Sequence, residues 1–599
     1  MVQNITVRKM GESDGGPILH GRKCRDVLFL LLFIAFWGGM VIVAIFGWVH
    51  GVPQRLIYPS DSNGDVCGFI TEGIDYTDRK RLYFPNPSSI TPSCCVSSCP
   101  SEFNYDPFSN ICPPISNITS NGAYPTSTVL WYCIPGNNAT SSNVVGQYTK
   151  EGFQLLYRYM GDVTQAWPVE LVMGIFAPFV LGFVWLFLLQ WFAGLMVWLS
   201  ILAFFLALGA VTILFFYEAG MVSGTWLGPA ERLVDDHDNA LSNNRDIMRI
   251  CAWIMVALDG IFLLVLLVMV KRIRIAVGII KEAARAIKSM PLIIFFPIVP
   301  FILLAMLWVY AIVVFIFLAS AGKYDKSTKL WSYDMRLQGF IVYHLFGLLW
   351  TNQFILAIGM CTISGAVATF YFTRDKKEMS SFPVVGAFMR TLRYHLGSLA
   401  LGSLLVALVQ LVRCILAYLQ RKAALAQNRV LVFFFGCIGY CLACFERFLK
   451  FINRNAYIMI AMYGFSFCEG ARSAMQLILK NILRVAAVDV VGDYILFLGK
   501  LAITFSSGAL CFLWLSQDKM YLFQGARQIS SPILPIIVVV LASYVVSSAF
   551  LGVFSMAIDT ILLCFCQDCE KNSESGNYYA SEYLRQYISN SNMPPKTKT

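Results

Sequence analysis

The chain has 599 residues, of which 57% are hydrophobic and only 14% charged, and its mean hydropathy is +0.64. A soluble domain is about 45–50% apolar and about 25% charged, so a soluble enzyme is excluded, and with it a disordered, collagenous or coiled-coil chain. The net charge of +11 reads as Lys and Arg gathered in the cytoplasmic loops of a polytopic protein, not as a nucleic-acid surface.

A spanning helix needs about 20 mostly apolar residues. Ten candidates follow in chain order, at 27–49, 167–189, 191–217, 249–270, 292–319, 338–369, 395–418, 430–447, 492–516 and 533–563. LVMGIFAPFVLGFVWLFLLQ and PLIIFFPIVPFILLAMLWVYAIVVFIFLAS are unambiguous examples. The predicted fold class is therefore an all-α polytopic membrane protein of about ten transmembrane helices, with a disulfide-stapled, glycosylated first extracellular loop. The first span is preceded by Arg22, Lys23 and Arg25 and followed by no small-residue cleavage site, so it is expected to be an anchor and not a cleaved signal. Residues 1–26 are then a cytoplasmic N-terminus, 27–49 the first helix, and 51–165 the extracellular loop. Helices two to eight follow at 167–447, a cytoplasmic amphipathic region at 448–490, the last two helices at 492–563 and a cytoplasmic tail at 564–599.

The basic loops set the orientation. Lys271, Arg272, Arg274, Lys281, Arg285 and Lys288 face only Glu282, and Arg374, Lys376, Lys377, Arg390 and Arg393 face Asp375 and Glu378. Both loops fall inside when the N-terminus is inside. The stretch 218–248 falls outside and is acidic, with Glu218, Glu231, Asp235, Asp236, Asp238 and Asp246 against Arg232 and Arg245. The link RKAALAQNR at 421–429 is basic yet lands outside, which leaves the helix at 430–447 the least secure.

The loop 51–165 is rich in Pro, Ser, Asn and Gly. It holds Cys67, Cys94, Cys95, Cys99, Cys112 and Cys133, and sequons at Asn117 and Asn138. An even cysteine set beside sequons points to an oxidising compartment and up to three disulfides, whose pairing sequence alone leaves open. The plainer reading of this loop is a stapled cap without a part in transport chemistry. Cys437, Cys441 and Cys444 share a helix face, where buried thiols are a plainer reading than a metal. Cys564, Cys566 and Cys569 close the last helix and are candidates for reversible acylation.

No phosphate loop, HExxH, GxSxG or zinc spacing occurs, so no enzyme activity and no cofactor are expected. Charged groups at bilayer depth are costly and mark function. Asp259, Asp559 and Arg413 are such groups; Glu218 ends the third span and His344 begins the sixth. Arg413 and Asp559 also have structural readings, through snorkelling, capping or a salt bridge. Aromatic residues make up 14% of the chain. Many are interfacial anchors, but Trp308 and Tyr310 in one helix, and Trp350 and Phe354 one turn apart in another, fall at depth. Such rings suit a quaternary ammonium, which cannot donate a hydrogen bond and is held by aromatic faces at about 0.5–2 kcal/mol each. The candidate substrate-binding set is thus Trp308, Trp350, Phe354 and Tyr310, with Asp259 or Glu218 as counter-charge.

Several strings occur together: LLWTNQFILAIGMCTISGAVATFYF, RTLRYHLGSLALGSLLVALVQLVR, CLACFERFLKFINRNAYIMIAMYGFSFCEGARSAM, NILRVAAVDVVGDYILFLGK and MAIDTILLCFCQDCEKNSES, preceded by CRDVLFLLLFIAFWGGM, CGFITEGIDYTDRKRLYFPNP and CVSSCP. The combination resembles the choline transporter-like family, solute carrier family 44, over nearly the whole chain. The resemblance implies a ten-span carrier with both termini cytoplasmic. It implies sodium-independent choline uptake at the plasma membrane, feeding phospholipid synthesis, with ethanolamine a second substrate in some members. One branch is linked to thiamine pyrophosphate, and mitochondrial or other internal membranes stay open as a location. Phe445 to Val488, with Arg447, Lys450, Arg454, Arg472, Lys480 and Arg484, would form a basic inner-surface stretch. The expected partners are a small organic cation and the bilayer, with no nucleic acid. The alternatives are a carrier of another organic cation or of thiamine pyrophosphate, a channel, a lipid-headgroup enzyme, and a non-transporting receptor or adhesion protein.

Overall fold

A computed structural model describes residues 22–61, 65–71, 74–85, 93–100, 126–129, 131–135, 166–219, 221, 245–325, 330–377, 379–516, 532–573 and 576–589. Among these residues nine helices are long and apolar enough to cross a membrane. They are α1 Val27–His50, α2 Ala166–Tyr217, α3 Met248–Ser289, α4 Leu292–Ser320, α5 Met335–Phe372, α6 Pro383–Leu425, α7 Arg429–Tyr463, then, after a 14-residue helix α8 Phe467–Lys480, α9 Ile482–Leu515 and α10 Ile533–Lys571. The all-α polytopic class is what the structure has.

The difference from ten lies in α2. The segments at 167–189 and 191–217 are one helix of 52 residues, about 78 Å long at 1.5 Å per residue. Gln190 is the one strongly polar residue at the expected break, and no proline accompanies it, so nothing there terminates the helix. Around the expected break Leu189, Ala193 and Val197 are buried in one cluster with Ala276, Ile279 and Ile280 of α3. Beyond it, α2 and α3 run against each other as an apolar pair, with Phe204 5.2 Å from Phe262 and Phe216 5.7 Å from Trp253 between ring centroids. Most of the acidic stretch 218–248 lies outside the described residues.

The basic stretch 445–488 also divides differently. Helix α7 runs on to Tyr463, so Arg447, Lys450 and Arg454 ride on it. It ends at Gly464, whose φ of 70° closes the helix with an N–H bond to Ile460 O at 2.8 Å. The separate amphipathic helix in this stretch is α8 alone: Phe467, Gly470, Ala474, Leu477 and Ile478 are buried, with Arg472 and Lys480 exposed. The basic link at 421–429 shrinks to a tight turn between α6 and α7, with Gln427 at φ 54° and the Asn428 side chain accepting from Leu431 N at 3.2 Å.

Residues 22–26 fasten this end of the bundle. Arg22 donates to Ala461 O at 2.8 Å in the last turn of α7, and Asp26 accepts Phe467 N at 2.8 Å in the first turn of α8. A cation thus sits at a helix C-terminus and an anion at a helix N-terminus, each favoured by the helix dipole. Burial, reinforced by the charge of Arg390, pushes the Arg22 guanidinium down to about 10.

At the opposite end α1 leads into the cysteine-rich loop. Its strands β1 Ile70–Thr71 and β2 Ile74–Asp75 pair with each other. Strands β3 Arg81–Tyr83, β4 Cys94–Val96, β5 Thr126–Val129 and β6 Tyr132–Pro135 form one sheet in the order β4-β3-β6-β5. Disulfides join Cys67 to Cys95 and Cys99 to Cys133. Cys94 is also disulfide-bonded. Cys112, Asn117 and Asn138 lie outside the described residues.

Packing sorts the helices into two lobes. One contains α1, α4, α5, α6, α7 and α8; the other contains α2, α3, α9 and α10. The lobes meet chiefly where α5 lies along α10. Helix α5 can serve as this central rod because small residues line it. An added Cβ at Gly365 would stand 3.3 Å from that of Ala387, and Ala357, Ala366 and Ala368 are buried.

Candidate functional site

The seam between the lobes is hollow. A cavity of about 320 Å³ lies between the start of α4, the middle of α5 and the middle of α10. Its walls are largely apolar, with Phe296, Phe301, Leu304, Leu356, Met360 and Met556 among them. Pro297 and Pro300 shape the α4 entrance, and Gly552 borders open space, since an added Cβ there would meet nothing within 4 Å. A second cavity of about 120 Å³ lies between α7, α9 and α10. It is polar, bordered by Arg454, Asp489, Asp493 and Asp559. Arg454 and Ser555 line both cavities.

Arg454 enters from α7 and Asp559 from α10, and the two form an ion pair. Arg454 Nη2 also donates to Ser555 Oγ at 2.6 Å. Asp489 and Asp493 stand one turn apart on α9, Asp489 partly buried and Asp493 exposed. Three carboxylates face one guanidinium, so the formal charge of the pocket is two units negative. In a low-dielectric surrounding such an excess attracts a cation strongly. An apolar chamber beside an anionic pocket, with Arg454 and Ser555 common to both, can hold a small organic cation without offering it a hydrogen-bond acceptor for every atom.

The other sequence-derived residues lie elsewhere. Trp350 is 1% exposed and donates its indole N–H to Ala400 O at 3.1 Å. Its ring is packed by Phe33, Phe36 and Phe346 at centroid distances of 5.1, 5.4 and 5.8 Å, and Phe354 lies 4.5 Å from Phe33. Trp350 and Phe354 are thus brought together, with Phe33 filling the space a substrate would take. Trp308 is 49% exposed on the bundle surface. Tyr310, two residues on, turns inward and donates to Met40 O at 3.2 Å, beside Trp37 and His344. Asp259 is in the α2–α3 pair, where Thr212 Oγ1 donates to it at 2.7 Å. Glu218 closes the helix that carries it, and its side chain lies outside the described residues.

Arg413 has the structural role open to it. It pairs with buried Glu446, which also accepts from Gln410 at 2.8 Å and from Lys450 at 2.6 Å. Cys437, Cys441 and Cys444 are exposed on the surface of α7, and Cys564, Cys566 and Cys569 are buried. Burial of those three thiols disfavours their acylation, although Cys566 and Cys569 border a pocket with Arg272 and Lys480. Arg454, Asp489 and Asp493 are candidate site residues that the sequence reading did not choose, because they lie in or beside the stretch 448–490 that it expected to be cytoplasmic. The signal that could have found them is the apolar run AYIMIAMY at 456–463, which carries α7 on past Arg454, and the i, i+4 spacing of Asp489 and Asp493 in the first turns of α9.

Comparison with known proteins agrees over nearly the whole chain. The profile of a family described as plasma-membrane choline transporter matches residues 253–570. Choline transporter-like protein 2 of Dictyostelium discoideum is 37% identical over 98% of this chain and 97% of its own length. Choline transporter protein 1 of Arabidopsis thaliana is 30% identical over 94% of this chain and 95% of its own. Choline transporter-like protein 2 of Mus musculus is 30% identical over 98% and 97%. With the family profile covering both cavities and full-length identity reaching from a slime mould to a plant and a mammal, this chain belongs to the choline transporter-like family.

Proposed function

We propose that this protein is a choline carrier of the plasma membrane, sodium-independent and facilitative, with ethanolamine as a second substrate. The observation that carries the reading is the seam itself, where an apolar chamber shares Arg454 and Ser555 with a pocket that holds three carboxylates against one guanidinium. A quaternary ammonium carries its charge without a hydrogen-bond donor, so apolar and aromatic walls plus a nearby negative field suffice to hold it. Ethanolamine brings an N–H donor and smaller bulk, which suits the carboxylates and fills the apolar chamber less. Thiamine pyrophosphate carries a diphosphate, which the same negative field repels.

The membrane potential supplies the drive. One positive charge moved across 100 mV is worth about 2.3 kcal/mol, or roughly 50-fold accumulation, so a coupling ion is not required. Both termini are assigned to the cytoplasm. Arg22, Arg390, Arg393, Lys480 and Arg484 all belong to the end of the bundle opposite the disulfide-bonded loop, as the excess of positive charge inside requires. The disulfide-bonded loop is then extracellular and glycosylated.

The test is uptake of radiolabelled choline, ethanolamine and thiamine pyrophosphate into vesicles reconstituted with purified protein, at two clamped potentials. Saturable choline entry that grows with internal negative potential and is indifferent to sodium supports the reading. Vesicles that stay impermeable to choline and ethanolamine at both potentials overturn it, and non-saturating flux identifies a pore instead.

A further inference from the structure

Among the described residues, the polar ties between the helices of the two lobes lie on one stretch of α10. Arg454 of α7 holds Asp559 and Ser555. Tyr371 of α5 donates to Asp568 at 3.1 Å, Lys480 of α8 pairs with Glu570, and Lys571 stands 4.6 Å over the Tyr463 ring. These positions run from 555 to 571, the half of α10 nearer the Arg22 end. The other half packs within its own lobe, where Ser543 donates to Met173 O at 3.2 Å and Val539 joins Val169, Met173 and Cys511. Of these ties, those of Arg454 to Asp559 and Ser555 border the two seam cavities described above.

We infer that Arg454 is an internal stand-in for the substrate cation: it holds Asp559 while the site is empty, and an incoming ammonium takes that carboxylate and moves the guanidinium, shifting the contact between the lobes. This rests on the reading of the seam as the cation site. Arg454 and Ser555 line both cavities, so a cation leaving the apolar chamber meets the guanidinium before it meets the acids. Two like charges cannot share Asp559 at low dielectric without strong repulsion. The guanidinium has somewhere to go, because Asp489 and Asp493 lie within electrostatic reach of Asp559 and have no hydrogen bond or ion pair among the described residues. Moving the tie from α10 to α9 never leaves a bare charge in the membrane, which would be far more costly. The exchange therefore converts occupancy of the site into a displacement of one lobe on the other, and it names the two bodies that move.

The test combines transport kinetics with a cross-lobe distance. Arg454→Gln removes the competing cation, and the choline KM is expected to fall about 10-fold while Vmax also falls; Arg454→Lys keeps the charge and a KM near that of the parent. A merely structural role lowers Vmax without lowering KM. In parallel, Lys480→Cys with Glu570→Cys reports the end of the seam, with the specific disulfide quantified by mass spectrometry. Choline is expected to slow its formation severalfold in the parent, and Arg454→Gln is expected to slow it without any substrate. A KM that stays or rises in Arg454→Gln, or a crosslinking rate equal to that of the parent, overturns the inference. If Arg454→Gln does not fold, Ser555→Ala frees the guanidinium from its 2.6 Å bond, and a KM no lower than the parent's then overturns it. If the parent takes up no choline, the choline assignment fails, while the substrate-free crosslinking still decides whether Arg454 ties the lobes.

Discussion

Asp559→Asn tests the anionic pocket most directly. The substitution keeps the shape and the oxygen that Arg454 contacts and removes one charge of three. The formal charge of the pocket goes from two negative to one. For a cation about 6 Å from the carboxylate at an effective dielectric of about 20, Coulomb's law gives about 3 kcal/mol, or roughly 100-fold in affinity. The Asp559 side chain retains 17% of its exposure, so screening takes part of this, and a rise of about 10- to 100-fold in choline KM is expected. Arg454, left with Ser555 and an amide, adds repulsion in the same direction. The assay is initial-rate choline uptake into vesicles reconstituted with equal amounts of folded protein. Asp493→Asn, at an exposed position, is expected to show a smaller shift. A choline KM within twofold of the parent's for Asp559→Asn, at unchanged Vmax, would refute the assignment of the pocket as the cation site.

Three further outcomes follow from the packing. Trp350→Leu removes a fully buried ring and its hydrogen bond to Ala400 and is expected to cost about 3–5 kcal/mol; thermal melting in detergent should show a clear drop while the folded fraction keeps its choline KM, and Trp308→Ala on the exposed surface should change neither. Removing the Cys67–Cys95 or Cys99–Cys133 bond, which close 28 and 34 residues, is expected to destabilise the loop by about 4 kcal/mol each on chain-entropy grounds, seen as protease sensitivity of the loop and reduced delivery to the cell surface. Asp26→Ala loses the bonds to Ser398 and Phe467 N, 2.6 and 2.8 Å, at a residue with φ 55°; about 3 kcal/mol of destabilisation is expected, and Asp26→Asn, which tolerates that backbone and can still accept a bond, should lose less.

The helices were legible because hydrocarbon demands long apolar runs, and no other feature of the chain competes with that demand. What the runs do not encode is where one helix stops and the next begins when no proline, glycine pair or charge intervenes. This is why 167–189 and 191–217 read as two and stand as one. Polarity misled in the opposite sense at 448–490. Arg454 and Asp489 looked like residues of a cytoplasmic surface because α7 was cut at 447 and not followed through Asn453 and Asn455, both buried.

The site was legible in kind and not in place. An ammonium calls for rings and an acid, and the chain offers many of both; choosing among them requires knowing which rings already touch one another. Phe33 lies more than 300 positions before Trp350 yet fills the space beside it, and nothing local in either helix announces that. Asp559 was visible as an acid at depth, but its meaning depends on Arg454 and on the two acids of α9, three helices that meet only when the lobes are assembled. The division into lobes is itself invisible to periodicity, because it follows contact between distant helices and no internal repeat marks it. A carrier needs two bodies that can move and a cation site where they meet. On the proposed reading the seam supplies both at once, since the charges that would hold the substrate are also a bond between the bodies.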